Sequence, residues 1–214
     1  LHRKKTVKYN FKSHWDRAYK NTPTDELGWF ENNPTKTIDL IKKCHLSKDS
    51  IIFNAGGGCS HLTQLLSDKG YRNIYVNDIS SAAIQSLKKQ LSTTKNINFI
   101  TDDLTSPKDL KHIEMIDLWH DRAVLHFFTD KSQRQKYFDL LKEKVKSRGY
   151  VIFSEFAVGG AKKCCGLEVD NYDEKMFQEL LGDDFKLIES FNFLYEHPSN
   201  GNTRKYIYTL FRRK

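Results

Sequence analysis

Residues 51–79 read IIFNAGGGCSHLTQLLSDKGYRNIYVNDI. Ile51-Ile52-Phe53 is a short apolar run of the kind a strand covered on both faces presents. It stops at Asn54 and the cluster Gly56-Gly57-Gly58. Residues 60–69 then keep helical spacing and stop at Gly70. Ile74-Tyr75-Val76 makes a second apolar run, ended by Asn77-Asp78. Strand, glycine turn, helix and strand make the unit from which parallel α/β sheets are built.

The same rhythm continues outward. Ser80 or Ser81 caps a helix whose Ala83, Ile84, Leu87 and Leu91 share one face. Residues 97–100 form a third strand ending at Asp102-Asp103, and residues 115–119 a fourth ending at His120-Asp121-Arg122. A helix over residues 131–146, closed by Gly149, leads into a fifth strand at 150–156. A loop at 159–166, a helix at 173–181 and two long strands at 185–195 and 203–212 follow. The turn Pro198-Ser199-Asn200-Gly201 joins those two strands as an antiparallel hairpin. The expected fold class is therefore α/β in one domain, with a mostly parallel sheet that ends in an antiparallel hairpin.

Composition sets outer limits. A chain of 214 residues buries enough surface to fold without disulfide or metal staples. Its 38% hydrophobic content, helped by 13% aromatics, argues against intrinsic disorder. No apolar run reaches the ~18 residues of a membrane span, which predicts a soluble, cytoplasmic protein without membrane contact. Cys44 and Cys59 stand apart, and Cys164-Cys165 are adjacent and too constrained to bridge each other easily. No metal-ligand spacing appears, so no metal is expected, and a reducing compartment fits best. The net charge of +8 gathers at Arg3, Lys4, Lys5, Lys8 and Lys12, and again at Arg204, Lys205, Arg212, Arg213 and Lys214. Such charges attract anionic partners or are simply solvated, and no appended recognition motif argues for nucleic acid.

Ligands of open α/β sheets bind beyond the carboxyl ends of the strands. Polar residues gather at those ends here: Asn54 with the glycines, Asp78, Asp103, then His120, Asp121 and Arg122. The glycine turn allows close backbone approach, and Asp78 stands about 20 residues beyond it, where an acid meets ribose hydroxyls. A phosphate loop would need Gly-Lys-Ser/Thr, and a dinucleotide fingerprint a third glycine where His61 stands. Pyrophosphate is thus poorly seated, and a nucleoside with an amino-acid tail fits better. S-adenosylmethionine, with S-adenosylhomocysteine as its product, meets that description.

The stretches IIFNAGGGCSHLTQLL, NDIS, DDLT, DLWHDRAVLHFFTD, FSEFAVGG and CCGLEVDNYD, with HWDRAY and GWF before them, carry a resemblance. Together they resemble the class I S-adenosylmethionine-dependent methyltransferases, close to a bacterial subgroup with eukaryotic relatives among protein lysine methyltransferases. The resemblance runs from His14 to Arg212, and WHDRAVLHF is its most specific part. It implies a Rossmann-like fold with an N-terminal helical lid over residues 1–46 and an α/β core over 47–214. It also implies cofactor contacts at Trp15, Tyr19 and Trp29 in the lid and a turn at Gly56 and Gly58. Asp78 and Ile79 would take ribose and adenine, Asp103 and Leu104 the adenine edge, and the surroundings of Asp121-Arg122 the methionine end. One departure stands out: Asn54 occupies the position where the family usually carries Asp, giving a hydrogen bond without charge.

Plainer readings stand beside these. The glycines alone make a tight turn, Asp103 caps a short helix near Pro107, the aromatics pack as core, and Arg122 pairs with Asp121 or another carboxylate. Cys164 and Cys165 read as loop residues near the substrate entrance. Methyl transfer needs an aligned nucleophile, exclusion of water and, where required, a base. Asp121, His120 and His126 are the titratable candidates. The acceptor is a protein or a small molecule, with a protein lysine slightly ahead on the eukaryotic relatives. A roof over the site would favour a small N-, O- or S-acceptor, an open acidic groove a lysine. Asn54 also leaves a non-catalytic binding module as an alternative. The sequence does not give the oligomeric state.

Overall fold

The computed structural model describes residues 9–214, so Arg3, Lys4, Lys5 and Lys8 lie outside the described residues. The helices are α1 (Phe11–Asn21), α2 (Thr35–Lys43), α3 (His61–Asp68), α4 (Ser81–Gln90), α5 (Lys131–Lys144) and α6 (Glu174–Leu181). The strands are β1 (Ile51–Ala55), β2 (Asn73–Asp78), β3 (Ile97–Thr101), β4 (Ile116–Arg122), β5 (Val145–Phe156), β8 (Phe185–Glu196) and β9 (Thr203–Arg213), with the short pair β6 (Lys163–Cys164) and β7 (Leu167–Glu168) before α6.

Seven strands form one sheet in the order β3-β2-β1-β4-β5-β9-β8. The first five run parallel, while β9 pairs antiparallel with both β5 and β8. Side chains alternate across the strands, so neighbours in sequence enter different cores. Ile52, Leu118 and Ile152 pack with α2, α3 and α4 on one face. Phe53, Trp119, Val151 and Phe153 pack with α5 and α6 on the other. This is why the strand runs read as continuously apolar. Among the described residues, no helix is long and apolar enough to cross a membrane.

The structure corrects the sequence reading in three places. β4 runs on through Arg122, so His120 and Asp121 are strand residues rather than loop residues. Helix α5 is not closed by Gly149: it ends at Lys144 and passes directly into β5. Arg148, at φ 64°, and Gly149 instead sit within β5, beside an irregularity in its pairing with β4. A Cβ on Gly149 would come within 2.9 Å of the Lys146 carbonyl oxygen and 3.1 Å of that of Ile116, so the close chain approach there requires glycine. The expected loop at 159–166 runs into the β6–β7 hairpin, whose turn residues Cys165 and Gly166 are both left-handed, at φ 50° and 78°.

Helix α1 has no fully buried residue, so packing alone does not fix it. Asp16 does. Its Oδ1 accepts from Ser80 Oγ at 2.8 Å and from the Ala82 amide at 3.1 Å, at the N-terminus of α4. Lys12 adds an ion pair at 2.7 Å. Partial desolvation disfavours the charge, but these donors outweigh it and hold the carboxyl well below its usual range. Its stabilising contribution is therefore present above the ordinary carboxylate pKa and is lost as pH falls through the lowered one. Asp16→Ala is expected to cost about 0.5–2 kcal/mol, the range for a lost helix cap. Urea denaturation at pH 7 measures it, and an unchanged midpoint would show that α1 docks by other means.

Candidate active site

Above the carboxyl ends of β1, β2, β3 and β4 lies a cavity of about 350 Å³. It opens where strand order reverses, between β1 and β4, the usual ligand position in such sheets. Of the predicted site residues, Trp15, Tyr19, Trp29, Gly56, Asp78, Ile79, Asp103, Leu104 and Arg122 line it. Val124, Phe127 and Phe128, from the segment after β4, complete an apolar wall. Sequence reasoning missed that wall, although Phe127 and Phe128 lie in the stretch that carries the resemblance.

The glycine turn is built for contact. Gly56 and Gly58 are left-handed, at φ 56° and 44°. A Cβ on Gly58 would lie 2.2 Å from Tyr19 Oη and 3.2 Å from Asp78 Oδ2. Glycine thus lets the α1 tyrosine reach the end of β2. The aromatics of the lid meet edge to face: Trp15 lies 5.4 Å from Trp29 and 4.9 Å from Phe127, and Tyr19 lies 5.7 Å from Trp29. They pack, as the plainer reading held, and they line the cavity as well.

Asp78 is 6% exposed and accepts the Ser80 amide at 2.8 Å. Burial pushes its carboxyl up to about 7, against the backbone amides of Ser80, Gly58 and Ile79. Asp103 Oδ1 accepts from the amide and hydroxyl of Thr105, both at 2.8 Å. The capping role foreseen for Asp103 falls to Asp102, whose Oδ2 accepts the amides of Lys108, Asp109 and Leu110.

A smaller chamber shares Gly56, Trp29 and Arg122 with the cavity and adds Asn54, His120 and Glu31. Asn54 faces this chamber, and its Oδ1 pairs with His120 Nδ1 at 2.8 Å. Burial, helped by Arg122, drives the His120 pKa down to about 3, so the imidazole is neutral at physiological pH. Arg122 does not pair with Asp121. Its Nη1 donates to the Trp29 carbonyl at 2.7 Å, and its Nε lies 3.2 Å from Glu31 Oε2. Tyr195 and Tyr206 stack on the guanidinium at 5.4 and 5.1 Å. Burial raises the Glu31 pKa against the pull of Arg122. Arg122 Nη2, Asn54 Nδ2 and His120 Nε2 are buried without hydrogen-bond partners. Such groups are costly unless a ligand satisfies them.

The titratable candidates are not brought together at the cavity. Asp121 is fully buried on the α5 side, where it accepts from Tyr137 Oη at 2.5 Å. Burial and the neighbouring Glu155 push its pKa well up. His126 is fully buried with Nδ1 2.7 Å from Glu155 Oε2, and burial lowers its pKa to about 3. Neither side chain lines the cavity, and His120 reaches only the small chamber. Alternation along β4 is the reason: Asp121 faces α5, while His120 and Arg122 face the other way. Ala123, next in line, is left-handed at φ 65° and turns the chain over the cavity.

The raised pKa of Asp78 makes a stability prediction. The unfolded carboxyl ionises near the ordinary value of 3.8, and the folded one at about 7. Across that window the folded state holds the extra proton, so stability falls as pH rises, by up to about 1.4 kcal/mol per unit for this group. Asp78→Asn is expected to match wild type near pH 4 and to exceed it above pH 7 in urea denaturation. Equal pH profiles for the two proteins would contradict it.

Residues 53–153 match a family model described as a methyltransferase domain. Among curated protein sequences none matches significantly. Many solved structures share the fold. An S-adenosylmethionine-dependent methyltransferase from Anabaena variabilis superposes with a TM-score of 0.78 at 16% identity, covering 97% of this chain and 96% of its own. The N-methyltransferase NodS from Bradyrhizobium japonicum, solved with S-adenosylhomocysteine, gives 0.67 at 14%, with 94% and 98% coverage. Magnesium protoporphyrin IX methyltransferase from Synechocystis, solved with bound cofactor, gives 0.60 at 16%, with 97% and 86% coverage. Residues 53–153 thus match a methyltransferase domain, and the fold around them is the one these S-adenosylmethionine-dependent methyltransferases share.

Proposed function

We propose that the cavity and its side chamber together hold S-adenosylmethionine and that the methyl acceptor is a small molecule. Asp78 receives the ribose hydroxyls, Ile79 flanks adenine, and Asp103 with Leu104 meets its edge. Gly56 admits the ligand against the backbone, while Gly58, which lines neither space, makes room for Tyr19. The unpartnered donors Arg122 Nη2 and Asn54 Nδ2 suit the carboxylate of the amino-acid tail, and the lone pair of neutral His120 Nε2 suits its ammonium. The cofactor supplies an activated methyl on a sulfonium. The chain's part is to bind, orient and exclude water, and Trp15, Tyr19, Trp29 and Phe127 serve that last role. Asp121 and His126 support the wall from behind.

One observation carries the choice of acceptor: the roof is fastened. Segment 27–30 is tied to the body at the carbonyls of Leu27, Trp29 and Phe30. His197 Nε2 meets the first at 3.0 Å, Arg122 Nη1 the second at 2.7 Å, and Tyr195 Oη donates to the third. A cavity of about 350 Å³ is near the lower end of the ~300–1,000 Å³ range for ligand sites, so the cofactor fills most of it. A polypeptide segment would have to pass beneath this fastened roof to present a side chain, which sets the protein-lysine reading second. We also place the protein in the cytoplasm, where its four cysteines, all free, stay reduced. Residues 9–46 act as the lid on the 47–214 core.

Two measurements test this. Asp78→Ala is expected to weaken S-adenosylmethionine binding ten- to a hundredfold in calorimetric titration, about the value of a hydrogen bond to a charged group. An unchanged affinity would remove Asp78 from the site. Incubating the enzyme with methyl-labelled cofactor and a size-fractionated cell extract is expected to label the low-mass fraction. Label confined to protein would reverse the acceptor assignment.

A further inference from the structure

The β6–β7 hairpin places two thiols side by side at its tip. Cys164 Sγ and Cys165 Sγ are 3.9 Å apart, and both are free. A disulfide would need the sulfurs at about 2.05 Å and the Cα atoms at roughly 4.4 Å or more, whereas adjacent residues hold them at about 3.8 Å. The pair is therefore poorly set to oxidise onto itself. The spacing suits a bridging atom instead. From 3.9 Å, small rotations about the two Cα–Cβ bonds bring both sulfurs within bonding reach of one bridging atom.

The number of ligands selects the class of atom. Among the described residues no group of three or more His, Cys, Asp or Glu side chains is disposed to hold a metal ion. Zinc, which takes four ligands, is thus ill served. A monosubstituted trivalent arsenical needs two thiols only, because carbon fills its third position. Access is open: Cys165 is exposed and lines an outer cleft with His14, Arg17, Gly28 and Trp29. The turn is preset, with Cys165 and Gly166 already left-handed and the pairing of Cys164 with Leu167 closing it. Cys164 Sγ–H donates to Cys165 Sγ and, with Arg204 nearby, lowers the Cys165 pKa, which favours the attacking thiolate.

We infer that Cys164 and Cys165 form a two-thiol binding site for monosubstituted trivalent arsenicals, on the outer side of the Trp29 roof. In the binding step two S–H bonds and the arsenic–oxygen bond of R–As=O give two As–S bonds and one water. Arsenic stays trivalent and no oxidant is required. The site does not depend on the methyltransferase activity or on the acceptor.

The probe is phenylarsine oxide on the intact, reduced protein, followed by native mass spectrometry. Wild type is expected to retain one phenylarsenic group through excess monothiol and to release it to 2,3-dimercaptopropanol. Its tryptophan fluorescence should fall as well, since Trp29 shares the cleft. Cys164→Ser and Cys165→Ser are each expected to lose monothiol-resistant binding, with urea midpoints near wild type because the hairpin is at the surface. The buried pair Cys44→Ser/Cys59→Ser should keep it. Release of the group from wild type by monothiol would overturn the proposal. Retention by either single hairpin variant would do the same.

Discussion

The parallel pairing of β1 with β4 is the constraint on which the rest depends. Its register sets Asn54 beside His120 and Ala55 beside Asp121. From this seam the chain departs in opposite directions, through α3 to β2 on one side and through α5 to β5 on the other. The loops above it diverge, and the space they leave is the cavity. Each strand then delivers its terminal residue to the same rim. Shifting β4 by one residue would turn Arg122 into the α5 core and Asp121 toward the cavity.

That alternation also explains how so many ionisable groups share the middle of the sheet. On the α5 face, Trp119 Nε1 donates to Tyr137 Oη at 3.0 Å, and Tyr137 donates to Asp121. Glu155, pushed up to about 7 by burial, takes the His126 amide. Protons shared along this chain offset much of the cost of dry charge. On the other face a single charge, Arg122, is balanced by Glu31 and by the faces of two tyrosines. Segment 124–128, whose His126 joins this network, also supplies the cavity's apolar wall through Val124, Phe127 and Phe128, so the buried acids hold the site's shape without lining it.

Local pattern made the strand ends legible, because buried parallel strands leave unbroken apolar runs and their first polar residues mark the rim. Asp78, the glycines and Arg122 are found that way. The limit of β4 is not legible: His120 and Asp121 are polar, and in sequence polarity marks the end of a buried strand. Only the tertiary fact that both side chains find buried partners keeps them within it. Asp102 and Asp103 show the same limit on a smaller scale. Adjacent acids are equivalent in sequence, and only the path of residues 105–110 decides which of them caps. Asp16 carried no local signal either, since the helix it caps lies 65 residues further on.

Asn54 gains a different meaning from this geometry. A carboxylate at that position would sit in a chamber it shares with Glu31 and would compete for the one buried guanidinium. The amide instead accepts from His120, which burial already keeps neutral, and keeps a donor in reserve. The chamber thus holds one acid, one base and two neutral polar groups with unspent hydrogen-bonding capacity. A zwitterionic amino-acid tail brings its own two charges. In the proposed binding mode this set offers donors to the tail's carboxylate and a lone pair to its ammonium without a second fixed anion beside Glu31. Under the proposed binding, the amide at position 54 recognises the tail by hydrogen bonding where an acid would act by charge.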